Sequence, residues 1–358
     1  MLADAAIARR IPKVHLHCHL EGSLRGATFV ELAARRGVPL RYRPASQTGA
    51  LAGEPSADGD PTDPYRFANF QEFLYAFAAV NRALATPEDY ARLAREFVDD
   101  ALAQNAIYGE IFISPSVWTF FNEALNVREA VAAIAGELRS AAPRATFKLI
   151  VDLTRNFGAE AAMRTARLAA SLTDLDVVGI GLGGDEARFP PELFVEAFAW
   201  ARSQGLSAVA HAGEAAGPAS VRAAVEKLGV RRIGHGIAAL EDPGALDLLA
   251  RNGIAVEVCP TSNVITGAAQ AGRHTFLEFD RAGCRVVLDA DDPAMFQTSI
   301  EREYEHVERI AGAETLIRYV DNAIDASFAD PAAKRQMRAR VRAELDGARR
   351  SRGEYVGP

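Results

Sequence analysis

Short apolar runs recur along this chain at nearly regular spacing, each separated from the next by a helical stretch. Ile107 to Ile113, Phe147 to Asp152, Val177 to Gly181, Ser207 to His211, Arg232 to Gly236, Ile254 to Val258 and Arg285 to Asp289 each read as a buried strand. An earlier run, Pro-Lys-Val-His-Leu-His-Cys-His, adds one more and sets His15, His17 and His19 at alternate positions. Strand-helix alternation builds a parallel sheet, and eight such units predict a closed α/β fold, the (β/α)8 TIM barrel. An open doubly wound sheet is the alternative, but no Gly-x-Gly-x-x-Gly turn follows the first strand. The glycine run from Gly179 to Gly184 leads instead into Asp185 and Glu186.

The interval between the first two strands is long. Helical spacing there covers Ala27 to Arg36, Phe67 to Leu84 and Pro87 to Gln104, so extra helices are expected between strands one and two. Residues 43–64, rich in Gly, Pro, Ala, Ser and Asp, read as a mobile loop that, with the helices near Phe73 and Phe77, is a candidate lid. Residues 330–358 read as a C-terminal helical extension whose charges form a solvated face. The whole chain, 1–358, is expected to form a single barrel domain.

Composition narrows the functional classes. With 40 basic against 47 acidic residues, the net charge of -7 argues against a nucleic acid polymer as partner. No window has the length and apolarity of a membrane span or a signal peptide. Cys18, Cys259 and Cys284 are few and far apart, which fits a reducing cytoplasm rather than a disulfide framework.

In a β/α barrel the C-terminal ends of all strands converge on one mouth, so polar residues there form one site. His17 and His19 end strand one, His211 ends strand five, His235 ends strand six, and Asp291 follows strand eight. Alternate residues of a strand share a face, which groups the histidines. His15 sits a layer deeper than His17 and His19. Two imidazoles from one strand cannot complete a tetrahedral shell, and His211 and Asp291 supply the types that would. Glu214 can overhang the mouth, or stabilise a helix start. His235 is either a ligand or a catalytic base. In Asp291-Asp292-Pro293 one carboxylate can face a metal while the other faces a ligand.

The motifs His17-Cys-His19-Leu-Glu21-Gly22-Ser23, Gly184-Asp185-Glu186, His211-Ala-Gly-Glu214, Gly234-His235-Gly236, Cys259-Pro-Thr-Ser-Asn263 and Asp291-Asp292-Pro293 occur in this order. Together they resemble the adenosine deaminase family of the amidohydrolase superfamily over essentially the whole chain. The resemblance implies one zinc ion per chain, bound by His17, His19, His211 and Asp291. It implies that Glu214 is the proton donor and that His235 orients the attacking hydroxide. It also implies that Gly184 and Asp292 bond the purine edge and that Glu21 and His19 lie near the sugar or its replacement.

The expected activity is hydrolytic deamination of adenosine or a related 6-aminopurine nucleoside, with a small-molecule purine as partner. Deamination of adenine or of a modified adenosine is the alternative. Another amidohydrolase reaction and a catalytically silent purine-binding barrel stand further away. Two positions depart from the family pattern: His15 stands where Glu is usual, and Gly181 stands where animal adenosine deaminases commonly carry Asp.

Overall fold

The computed structural model describes residues 7–43, 54–56, 60–67 and 70–351. Eight parallel strands form one sheet in chain order: β1 (Lys13–His19), β2 (Ala106–Ile113), β3 (Thr146–Thr154), β4 (Val177–Gly183), β5 (Ser207–Ala212), β6 (Arg232–His235), β7 (Ala255–Val258) and β8 (Arg285–Leu288). Backbone bonds just past β8 close the ring. His19 N donates to Asp291 O at 2.9 Å, and Asp291 N donates to His17 O at 3.1 Å. The seam of this (β/α)8 barrel is therefore made by the same residues that the sequence marks as metal ligands.

Strands covered on both faces read as continuous apolar runs, and β2, Ala-Ile-Tyr-Gly-Glu-Ile-Phe-Ile, is buried throughout. Helices Gly26–Arg36, Phe70–Ala83 and Pro87–Ala103 fill the interval between β1 and β2, as the spacing predicts. The last of them starts at a capping box, in which Asp89 N donates to Thr86 Oγ1 and the Asp89 carboxylate accepts from Thr86 N. Part of the span expected to be a mobile loop is ordered: Arg41–Arg43 pairs antiparallel with Glu54–Ser56. Residues 44–53 and 57–59 of that loop lie outside the described residues.

Helix Pro331–Ser351 forms the C-terminal extension. Just ahead of it, Phe328 packs against Phe112, Ile150 and Val209 of the barrel interior. The Arg232 guanidinium lies 4.1 Å from the centre of the Phe328 ring. Barrel interiors are usually filled by Val, Ile and Leu. Here the interior also holds Glu110, Arg232 and Glu257, all with no solvent exposure. Arg232 bonds Glu110 at 2.6 Å on one side and Glu257 on the other, so the buried charges are mutually paired.

Candidate active site

Four side chains meet at the C-terminal mouth. His17 and His19 from β1, His211 from β5 and Asp291 beyond β8 present ligand atoms that all lie within 4.8 Å of one another. His19 Nε2 is 3.1 Å from His211 Nε2, and Asp291 Oδ1 is 3.3 Å from His17 Nε2 and 3.5 Å from His19 Nε2. Zinc bonds of about 2.0–2.1 Å place neighbouring donors roughly 3 to 3.5 Å apart, which these spacings match.

The second nitrogen of two rings fixes which atom is free. His17 Nδ1 donates to Glu257 Oε2 at 2.8 Å, because a buried carboxylate can only accept. His211 Nδ1 donates to the Leu182 carbonyl at 3.1 Å. His211 Nε2 then carries a lone pair turned toward the cluster, while the Asp291 and Glu257 carboxylates, outweighing burial, hold the His17 pKa well above its ordinary value, so a cation would take the place of the His17 Nε2 proton. His17 Nε2 is buried with no hydrogen-bond partner. Burial also pushes the pKa of His19 down to about 3 and that of His211 well below its ordinary value, keeping both rings neutral. Imidazole nitrogens converging about 3 Å apart beside a carboxylate form a site for a cation.

Asp291 and His235 are held in an unusual backbone state, each with φ of +62°. Left-handed non-glycine residues cost roughly 1–3 kcal/mol each and cluster at functional sites. Ser262 Oγ donates to Asp291 Oδ2 at 2.6 Å, leaving Oδ1 for the histidines. His235 Nδ1 donates to Asn263 Oδ1 at 2.8 Å, which leaves its Nε2 an acceptor. That nitrogen lies 3.6 Å from Glu214 Oε2 and 3.9 Å from Asp291 Oδ2.

Glu214 follows β5 on a turn pinned by Glu186. The Glu186 carboxylate accepts backbone N–H groups from Gly213, Glu214, Ala215 and Ala216, at 2.5 to 3.1 Å. Arg155 donates to the His211 carbonyl at 2.7 Å and fixes the start of the same turn. Burial raises the Glu214 pKa, which favours the protonated acid. Asp292 is buried beside Asp291, and both effects push its carboxyl well above the usual range. Its Oδ1 has no partner, and a Cβ at Gly22 would come within 1.8 Å of that oxygen, so the turn after β1 admits only glycine there.

The cluster forms the inner end of an open pocket whose wall includes Gly184, Glu214, His235 and Asp292. Phe70, Phe73, Phe77, Phe120, Phe121 and Phe157 supply aromatic surface to the same wall. Glu21 is fully buried; its Oε1 accepts from Ser114 N at 2.8 Å and Trp118 Nε1 at 2.6 Å, and its Oε2 has no hydrogen-bond partner.

The family model described as adenosine deaminase matches residues 12–344. The chain belongs to the adenosine deaminase family. As a member it is a hydrolase acting on C–N bonds of cyclic amidines. It is 36% identical over 352 residues to a protein named adenine deaminase from Rhodospirillum rubrum, covering 96% of this chain and 99% of that one. It is 34% identical over 351 residues to an aminodeoxyfutalosine deaminase from Streptomyces avermitilis, covering 94% and 90%. Among solved structures, an amidohydrolase from Burkholderia ambifaria with bound Zn superposes with a TM-score of 0.81 at 28% identity, covering 96% of this chain and 93% of that one.

Beside the residues expected from sequence, the structure adds others. Glu257, Arg232 and Glu110 form a buried line behind His17. Asp152, near the end of β3, lines the pocket. It was visible by the rule that singled out His211, a polar residue closing an apolar strand. Its surroundings explain the bare Gly181: a Cβ there would come within 2.4 Å of Asp152 Oδ1.

Proposed function

We propose that this protein deaminates an uncharged 6-aminopurine, base or nucleoside, with water to give the 6-oxopurine and ammonia at a zinc site. The convergence of four metal-ligand side chains with Glu214 and His235 at the end of one pocket carries the reading. His17, His19, His211 and Asp291 would hold the ion. When bound, zinc lowers the pKa of a water to about 7, making a nucleophile available at neutral pH.

The chain's own residues supply the rest. Glu214, kept protonated by burial, gives its proton to ring nitrogen N1 and so relieves the charge that builds as water oxygen bonds to C6. His235 Nε2, left an acceptor by the Asn263 bond, orients the water and takes its proton. That proton passes to the amino group, the C6–N bond breaks and ammonia leaves, and the second water proton, shed as C6=O forms, returns to the Glu214 carboxylate. Asp292, neutral through burial and its neighbour Asp291, donates to N7, while the Gly184 N–H faces N3.

A second reading, a nucleoside bearing apolar bulk beyond the purine, is favoured by the phenylalanines of the wall. Among the described lining residues none is Lys or Arg, and segments 44–53, 57–59 and 68–69 contain neither residue. The test is turnover of adenine, adenosine, 2′-deoxyadenosine and 5′-alkylthioadenosines by zinc-loaded protein, followed by the ultraviolet change from 6-amino to 6-oxopurine. Turnover of at least one, lost in Glu214→Gln with metal content unchanged, is expected. No spectral change with any of them would overturn the proposal.

A further inference from the structure

We propose that Asp152 is a specificity-determining residue of this pocket, its carboxyl reading a hydrogen-bond donor on the N9 side of the bound purine. The donor is the N9–H of a free base or a hydroxyl of a sugar attached there. This rests on the deamination reading above, which sets the ring's orientation.

The orientation follows from two circular orders. Around the mouth the strands run β1 to β8 in sequence. With C6 at the histidine cluster, Glu214 beyond β5 meets N1 and Asp292 beyond β8 meets N7. The rest of the purine perimeter runs from N1 through C2, N3, C4, N9 and C8 back to N7. It must pass the strands lying between β5 and β8 on the side away from His235, which are β4, β3, β2 and β1. Gly184, after β4, then faces N3, and Asp152, on β3, faces the neighbouring N9 side.

The wall is shaped around this carboxyl. A Cβ at Gly181 would lie 2.4 Å from Asp152 Oδ1, and a Cβ at Gly183 would lie 2.3 Å from Oδ2, so these two of the three glycines of β4 give way to it. Asp152 is buried, lines the pocket, and leaves Oδ1 without any hydrogen-bond partner. A buried polar group without a partner is costly. A ligand donor would satisfy it. Burial raises this carboxyl to about 7, so it can accept or donate at neutral pH. The side chain is absent from the proton transfers described above, and Thr154, two residues on, is already bonded to Ser116 at 2.9 Å.

The test compares wild type, Asp152→Ala and the conservative Asp152→Asn on adenine, adenosine and 9-methyladenine, the last lacking both kinds of donor. Asp152→Ala should lower kcat/KM by at least about 10-fold for adenine, adenosine or both, while 9-methyladenine changes less than about 2-fold. Asp152→Asn, which keeps an acceptor oxygen, should recover part of the loss. A loss confined to adenine identifies N9–H as the donor, and one confined to adenosine identifies the sugar. Equal losses on all three substrates, or none, overturn the proposal. Calorimetric binding of purine, purine riboside and 9-methylpurine, which carry no amino group, reads the same contact without turnover. If wild type deaminates nothing, selective loss of purine or purine riboside binding in Asp152→Ala still supports the contact, and unchanged binding overturns it. Should Asp152→Ala not fold, Asp152→Ser takes its place in both assays.

Discussion

Glu257 accepts the Nδ1 proton of His17 at 2.8 Å with both side chains fully buried, and so turns Nε2 of that ring toward Asp291. The other oxygen of Glu257 is bonded by Arg232, which is braced by Glu110 and by the Ala326 carbonyl at 3.2 Å. The orientation of a metal ligand at the mouth thus depends on charges at the barrel floor. Glu257→Gln keeps the shape but loosens both bonds. We expect metal affinity to fall about 10- to 100-fold, as when partners behind a metal ligand are removed elsewhere. Competition with a chromophoric chelator measures it, and unchanged affinity would show that the line is structural only.

Glu214 is the proton donor of the proposed reaction, so its removal should act on chemistry rather than binding. Glu214→Gln is expected to lower kcat by about 10²- to 10⁴-fold while KM changes little. Because burial raises its pKa, the active protonated form persists above the ordinary carboxylate range and is lost as pH rises through the folded-state value. The wild-type kcat profile should therefore fall on an alkaline limb. That limb should be absent from the residual activity of the Gln variant. A profile of the same shape in both proteins would assign the proton to another group.

Much of this was legible before any coordinates. Apolar strands such as β2 declare themselves because both faces are covered, and the polar residues that end β1, β5 and β6 stand out against them. Sequence also separated His15 from the two histidines of the cluster, since strand direction orders side chains by depth. What it could not show was pairing across the barrel. Glu257 lies in Ala-Val-Glu-Val and Arg232 in Arg-Ile-Gly-His, and nothing local says that these charges meet. Nor could it show that Glu21, which the resemblance sets near the sugar, bonds Ser114 N and Trp118 Nε1 through Oε1 and leaves Oε2 without a partner. The ribbon of Arg41–Arg43 with Glu54–Ser56 was hidden because each strand is only 3 residues long and carries no periodic signal.

His15 offers a test of the depth argument. Its Nε2 lacks a hydrogen-bond partner and lies 3.8 Å from Asp289 Oδ1, away from the four ligands. His15→Gln should leave metal affinity within about 3-fold of wild type. Burial, with His17 nearby, pushes the His15 pKa down to about 3 from the ordinary 6.5. The folded state thus holds a neutral ring that the unfolded chain protonates first. Its contribution to stability is full above pH 6.5 and is lost as pH falls toward 3. Between pH 7 and pH 5 the metal-free wild type should lose about 2 kcal/mol more than the variant, measured by urea unfolding. Parallel losses would mean that His15 is not held neutral by the fold.

The absence of Lys and Arg among the described lining residues makes the last prediction. A 5′-phosphate carries up to two negative charges at neutral pH and needs Lys, Arg or a cluster of N–H donors to replace its hydration. None of the described lining residues is Lys or Arg, while Asp152, Glu186, Glu214, Asp291 and Asp292 are all acidic. The phenylalanines of the wall offer no compensating donor. Adenosine 5′-phosphate should therefore have a kcat/KM at least about 100-fold below that of adenosine, chiefly through KM, because rejection is by uncompensated desolvation at binding. Replacing Phe73 by Arg should narrow the gap by raising activity on the phosphate while lowering it on adenosine. Steady-state kinetics on both substrates decide the point, and equal efficiencies in the wild type would mean that a phosphate finds donors elsewhere at the mouth.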